Sequence, residues 1–176
     1  MLARWQQQFA QLYRKELTVA RGQKKSKLIM KILVPTDGSV EAQEAGRYAA
    51  ELAQALGAKV TLLNVVQLPR LPARFLEMAD EALKRELFDT GKGILESARQ
   101  SFADVGVPVT IELREGRPAD VIMLTAVQGK FDLIVMGSRG LDPSESILLG
   151  GVSDQVIRHA RCPVLIVRAK YNPAAA

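Results

Sequence analysis

The chain has 176 residues, which is enough for one domain with a substantial core. Hydrophobic residues make up 48% of it, as in ordinary globular proteins, and no apolar run approaches the ~20 residues that span a bilayer. The single cysteine excludes an intramolecular disulfide and a metal site built on cysteines. Arg and Gln side chains interrupt the apolar residues near the start, so we expect no secretory signal and a cytoplasmic protein.

The net charge of +5 is concentrated at the start of the chain. Residues 1–29 contain seven Lys and Arg residues against Glu16 alone, a net charge of +6, so the remainder has a net charge of −1. A basic surface for nucleic acid is therefore not predicted on the main part of the chain.

The pattern of residues 2–20 predicts a basic amphipathic helix, followed by a polar connector that begins at Gly22. Three positions are open for this helix: its own domain, the partner chain of a dimer, or an anionic membrane surface. Packing on protein is favoured over the membrane. The apolar residues of the stripe are Leu2, Trp5, Phe9, Leu12 and Val19.

Strands and helices alternate from Met30 onward. Short apolar runs rich in β-branched residues predict buried strands at 32–34, 60–66, 107–113, 133–136 and 164–167. Helical spacing predicts helices at 40–56, 76–104, 118–128 and 151–160, with Ser39 or Asp37 as one N-cap and Gly57 as a C-cap. This alternation indicates an α/β fold with one parallel sheet covered on both faces. The predicted organisation is an N-terminal extension (1–29), a main domain (30–170) and a tail (171–176).

Small and polar residues follow the first and fourth predicted strands, at 35–39 and 137–140, and again at 150–153. Ligands of open parallel sheets bind beyond the carboxyl ends of the strands, and glycines with helix N-termini attract phosphate. Hydroxyl donors would come from Thr36, Ser138 and Ser153, and Asp37 could hold a ribose hydroxyl or Mg²⁺. Turn glycines of any α/β fold give the same pattern, so the residues alone leave both interpretations open.

Several motifs make the stretch from 30 to 170 resemble the universal stress protein family. They are KILVPTDGS at 31–39, GRPA at 116–119, DLIVMGSRG at 132–140, GGVS at 150–153 and HARCPVLIV at 159–167. The resemblance implies an open, Rossmann-like five-stranded parallel sheet of order 3-2-1-4-5. It also implies a homodimer, which we expect to form through the edge strand at 164–167.

The resemblance further implies an ATP site, because some members of the family bind ATP through G-x2-G-x9-G-(S/T). Gly137, Gly140 and Gly150 match this spacing, whereas Gly151 replaces the final Ser or Thr. The triphosphate, with or without Mg²⁺, would lie against the amides of Gly140, Gly150, Gly151 and Val152. The full expected site comprises Pro35, Thr36, Asp37, Val65, Met136, Gly137, Arg139, Gly140, Gly150, Gly151, Val152 and Ser153.

The expected function is that of an ATP-binding stress-response or signalling module with little or no catalysis. One alternative is a slow ATP hydrolase or phosphotransferase, and another is an interaction protein that has lost its nucleotide. Arg139 would be either a solvated turn residue or a phosphate contact. His159 is expected to be structural, and Cys162 is expected to be an inert buried thiol.

Overall fold

The computed structural model describes residues 29–68, 76–140 and 149–169, and it contains a parallel sheet flanked by helices. The strands are β1 (Lys31–Pro35), β2 (Lys59–Val66), β3 (Val109–Glu115), β4 (Leu133–Gly137) and β5 (Val164–Val167). The α-helices in these ranges are α1 (Val40–Leu56), α2 (Leu76–Gln100), α3 (Pro118–Gln128) and α4 (Gly151–His159). The predicted helix at 2–20 and the tail at 171–176 lie outside the described residues.

The strand order is β3-β2-β1-β4-β5, with every neighbouring pair parallel, which confirms the predicted topology. Successive residues of the central strand β1 point to opposite faces. Ile32 and Val34 pack in a cluster with α1 and α2, whereas Leu33 packs in a second cluster with α3 and α4. All three side chains are fully buried, which contributes roughly 1.5–3 kcal/mol each to the free energy of folding. Burial on both faces therefore places β1 at the centre of the sheet.

The ends of the helices follow from their capping residues. Ser39 is the N-cap of α1, since its hydroxyl accepts the Ala42 N–H at 3.2 Å. Gly57 ends α1 in the left-handed conformation, with φ 68°. Pro118 occupies the first turn of α3. The Ser39 cap fixes where the chain turns from β1 into α1, at the edge of the sheet where ligands are expected.

Two predicted boundaries are wrong. The helix predicted to reach residue 104 ends at Gln100, and a 3-10 turn over Ala103–Val105 follows it. The strand predicted at 107–113 instead spans Val109–Glu115, because pairing with β2 begins after Pro108. The strand β3 can end in the charged residues Arg114 and Glu115 because it lies at the edge of the sheet. Within the described ranges, the helices are too short or too polar to cross a membrane.

Candidate functional site

A cleft of about 360 Å³ opens at the carboxyl ends of β1, β2 and β4. The strand order reverses between β1 and β4, and open α/β sheets bind ligands at such a point. All twelve residues of the expected site line this cleft: Pro35, Thr36, Asp37, Val65, Met136, Gly137, Arg139, Gly140, Gly150, Gly151, Val152 and Ser153. The fold thus brings together residues that are up to 118 positions apart in the sequence. Their roles toward a ligand stay predictions.

Five further residues line the cleft that the sequence analysis did not name: Ala42, Leu63, Asn64, Pro118 and Ile122. Asn64 carried a detectable signal, because a lone amide within an apolar strand needs a hydrogen-bond partner. Ile122 carried no such signal, since an apolar residue on a helix is typical of any core.

The loop after β1 is held by β2. The Thr36 N–H donates to the Leu63 carbonyl at 2.8 Å, and the Thr36 carbonyl accepts from Asn64 Nδ2 at 2.8 Å. The Thr36 hydroxyl accepts the Gly38 N–H at 3.3 Å. These bonds, made by residues that are mostly buried, fix the backbone that presents the next residue, Asp37, to the cleft.

The Asp37 carboxylate joins its own loop to the loop after β4. Its Oδ1 accepts the Ser39 N–H at 3.0 Å. A Cβ atom added at Gly140 would lie 2.5 Å from Asp37 Oδ2, far closer than carbon and oxygen approach without displacement. Gly140 is therefore required for this contact, independently of any ligand. Asp37 is the one carboxylate among the described residues that line the cleft.

Gly137 has a packing role. A Cβ atom at this position would lie 2.8 Å from Glu41 Cβ and 2.9 Å from the Glu41 carbonyl carbon. The absence of a side chain lets the first turn of α1 approach the end of β4. Gly137 thus shapes the cleft by packing, whether or not its backbone contacts a ligand.

Three groups that were expected to contact phosphate, in the loop after β4 and at the start of α4, are bonded or buried in the structure. The Gly150 N–H donates to the Ser138 carbonyl at 2.8 Å, so this amide already has an acceptor within the loop. The Ser153 hydroxyl donates to the Gly137 carbonyl at 2.9 Å, so its proton is already used. Ser138 is buried and does not line the cleft, which removes it as a hydroxyl donor. These hydrogen bonds join the start of α4 to the loop after β4 and stabilise that loop.

The first turn of α4 supplies the amides that remain suited to an anion. Its first backbone bond within the helix runs from the Asp154 N–H to the Gly150 carbonyl at 2.9 Å. The amides of Gly151, Val152 and Ser153 therefore have no acceptor inside the helix. They lie at the positive end of the helix dipole and at the wall of the cleft. This geometry is favourable for a phosphate group.

Arg139 is neither fully solvated nor aimed freely into the cleft. Its Nη2 lies 3.1 Å from Glu41 Oε1 in the first turn of α1, and both side chains are partly buried. The residue also lines the cleft. The two predictions for Arg139, a solvated turn residue or a phosphate contact, did not include Glu41 as its partner. Nothing in the sequence links these two positions, which are 98 residues apart.

His159 and Cys162 lie away from the cleft. His159 is exposed, with Nδ1 2.9 Å from the Gln155 carbonyl in the last turn of α4. Cys162 is partly exposed, so the expectation of a buried thiol is wrong. It packs at the border of the core cluster beneath α3 and α4, which a short loop before β5 leaves incompletely covered.

Comparisons with known proteins identify relatives over this same stretch. The model of the universal stress protein family matches residues 29–168. A universal stress protein of Methanocaldococcus jannaschii is 37% identical over 141 residues, covering 80% of this chain and 83% of the relative. One of Thermus aquaticus is 41% identical over 139 residues, covering 78% and 97%.

Solved structures show the same fold. UspA of Lactobacillus plantarum is 30% identical, with a TM-score of 0.71, over 80% of this chain and 98% of that one. A universal stress protein in complex with cAMP is 28% identical with a TM-score of 0.62, again over 80% and 98%. The Archaeoglobus fulgidus protein in complex with dAMP is 26% identical with a TM-score of 0.58 over the same shares.

Proposed function

The chain belongs to the universal stress protein family, and we propose that it binds ATP in the cleft between β1 and β4. The observation that carries the proposal is the convergence of three loops on one cleft. They bring an apolar pocket, one carboxylate and the first turn of α4 together. A volume of about 360 Å³ lies in the range of small-molecule sites.

The apolar part of the cleft is suited to the base. Pro35, Leu63, Val65, Ile122 and Met136 line it, and a purine ring gains free energy by burial against such side chains. Relatives of this fold hold cAMP and dAMP, both of which carry adenine. Adenine is therefore the base that we propose for this chain.

The polar part of the cleft is suited to ribose and phosphates. We assign the triphosphate to the amides of Gly140, Gly151 and Val152, and we leave out Gly150 because its N–H is already bonded. Asp37 would accept from a ribose hydroxyl or hold a Mg²⁺ ion that arrives with the phosphates. One carboxylate suffices for that, since Mg²⁺ in nucleotide sites keeps water and phosphate ligands.

Binding without turnover is the favoured mode of action. Among the described residues that line the cleft, the charged side chains are Asp37 and Arg139, and lysine is absent from this set. Arg139 is paired with Glu41, and Asp37 accepts from the backbone of its own loop. A signalling module that changes with its bound nucleotide needs no general base. We place it in the cytoplasm, where ATP is available, as a mononucleotide-binding protein without a nucleic-acid partner.

Assembly as a homodimer through β5 is part of this proposal. All four residues of β5 are apolar, and three of them are only partly buried at the open edge of the sheet. The other edge strand, β3, carries Glu112, Arg114 and Glu115, charges of the kind that protect an edge from pairing. This difference favours β5 as the edge that pairs.

Isothermal titration of the purified chain with ATP, ADP, AMP, cAMP and GTP, each with and without Mg²⁺, tests the proposal. We expect ATP to bind and GTP to bind at least tenfold more weakly. A parallel measurement of phosphate release, with Asp37→Ala as the control, separates binding from hydrolysis. If no adenine nucleotide binds, the result would refute the proposal and favour the alternative of an interaction protein that has lost its nucleotide.

A further inference from the structure

The N-terminal segment enters the described structure beside the end of α3. The Met30 and Lys31 N–H groups donate to Asp132 Oδ2 at 3.0 and 3.1 Å. Lys31 Nζ donates to the Gly129 carbonyl at 2.6 Å, directly after the last residue of α3. The described chain thus begins beside the C-terminal end of this helix, with Ile29 packed against the core cluster of α1 and α2.

The outward face of α3 exposes two large apolar side chains between the polar residues Asp120 and Gln128. Ile122 and Ala126 are buried inward, as expected. Leu124 and Val127, three positions apart and thus on one face, are 53% and 45% exposed. Met30, where the chain enters, is 46% exposed. The side chains of Leu124 and Val127 are called the α3 face.

By comparison, α1 presents polar side chains to solvent. Beyond its first residue, Val40, the exposed residues of α1 are Gln43, Arg47, Gln54 and the small Ala55, and Arg47 pairs with two glutamates of its own helix. Clustered exposed apolar side chains mark surfaces that contact another molecule or segment. The α3 face thus exposes two large apolar side chains one turn apart, whereas α1 exposes a single one at its first residue.

We propose that the predicted amphipathic helix of residues 2–20 covers the α3 face of its own chain. Its stripe supplies apolar side chains, including Trp5 and Phe9, that would cover Leu124 and Val127. Eight residues, 21–28, connect it to the described residues and reach at most ~28 Å when extended. Val127 lies two positions before Gly129, whose carbonyl accepts from Lys31, so the connector is long enough. So short a tether also keeps the effective concentration in the millimolar range, above that of any second copy.

Electrostatic attraction does not favour docking of the N-terminal helix on the α3 face. Residues 1–29 have a net charge of +6, and Lys130 lies beside the same end of α3. The carbonyl end of the α3 dipole offsets this only weakly. Apolar contact therefore carries the interaction, which predicts that it survives high salt, whereas attraction to anionic lipid would not.

Trp5 is the single tryptophan of the chain, so its fluorescence reports on this segment alone. In the full chain without vesicles, we expect blue-shifted Trp5 emission that persists in 1 M NaCl. The double variant Leu124→Lys/Val127→Lys should shift it to the wavelength of exposed tryptophan and accelerate trypsin cleavage in the connector at least tenfold. Ile111→Lys, which adds one lysine at an exposed apolar residue of β3, should change neither.

A second measurement does not depend on the double variant folding. Leu124→Cys, in a chain with Cys162→Ser, is labelled with a fluorescent acceptor. Energy transfer from Trp5 should be strong and should persist when unlabelled chain is added in excess. Emission typical of exposed tryptophan in the wild type, or a blue shift only with phosphatidylglycerol vesicles, would overturn the proposal. Loss of transfer on mixing would assign the contact to the partner chain and overturn docking within one chain.

Discussion

Arg139 and Glu41 form an ion pair across the edge of the cleft, with Nη2 3.1 Å from Oε1. Glu41 lies in the first turn of α1, and Arg139 lies between Ser138 and Gly140 in the loop after β4. The side chains are 16% and 30% exposed, so the pair is shielded from solvent more than most surface pairs. The pair holds the loop after β4 against α1, and it neutralises the charge of Arg139, the arginine that lines the cleft.

Replacing Glu41 by Gln should therefore strengthen ATP binding. The substitution removes a negative charge beside the site and releases the Arg139 guanidinium for phosphate. We expect about a fivefold lower Kd for ATP, corresponding to about 1 kcal/mol, and no change for adenosine. Calorimetric titration with both ligands measures the difference. Glu44→Gln is the matched control, because Glu44 makes its pair with Arg47 on the outer face of the same helix. An equal gain in both variants would contradict a local role for the pair.

Bulky residues at Gly140 and Gly150 should abolish ATP binding for two different reasons. At Gly140 a side chain displaces the Asp37 carboxylate, whose Oδ2 would lie 2.5 Å from the new Cβ. At Gly150 it presses on the Arg139 backbone, with Cα at 3.3 Å, and disturbs the bond to the Ser138 carbonyl. We expect Gly140→Val and Gly150→Val to weaken binding more than 100-fold by calorimetry.

Gly93→Val provides the control for these two variants, since a Cβ atom there has no described neighbour within 4 Å and the residue lies on α2. Unchanged ATP affinity in either cleft variant, with native circular dichroism, would refute the placement of the phosphates.

The sequence predicted the topology because the strands are apolar on both faces and the loops carry distinctive residues. Motif spacing also predicted which loops meet, since parallel strands bring their carboxyl ends to one edge. It could not predict which groups the loops bond to one another. The Gly150 amide and the Ser153 hydroxyl looked available, yet both bond to the backbone of the neighbouring loop. The same holds for the pairing of Arg139 with Glu41 and for the bond from Asn64 to the Thr36 carbonyl. The tertiary structure determines the partner in each case.

Gly151→Ser should improve ATP binding. The family's ATP-binding pattern has Ser or Thr at this position, and a Cβ atom at Gly151 has no described atom within 4 Å. The new hydroxyl would donate to a phosphate from the first turn of α4. A hydrogen bond to a charged group contributes ~1.5 kcal/mol, so we expect about a tenfold lower Kd for ATP and an unchanged Kd for adenosine. Gly151→Ala is the control, and an equal gain with alanine would assign the effect to the helix backbone instead of the hydroxyl.

Lysine on β5 should dissociate the proposed dimer. Val164→Lys and Ile166→Lys place charges along an apolar edge strand, where pairing with a second copy would bury them. We expect light scattering to show a dimer for the wild type at micromolar concentration and a monomer, or poor solubility, for either variant. Ile111→Lys on the opposite edge strand is the control and should leave the dimer intact. A monomeric wild type would refute the assembly.

Removal of residues 1–28 should lower stability and leave ATP affinity within a factor of two of the full chain. The described residues that line the cleft begin at Pro35, so the truncated chain keeps each of them. Ile29 is retained because it packs against the core cluster of α1 and α2. The truncation would return the outward parts of Leu124 and Val127 to water, and ~100 Å² of apolar area restored to water corresponds to about 2.5 kcal/mol. Urea unfolding measures that loss, and calorimetry measures the affinity. A large drop in ATP affinity with unchanged stability would mean that the N-terminal segment contacts the nucleotide, and it would contradict its position on α3.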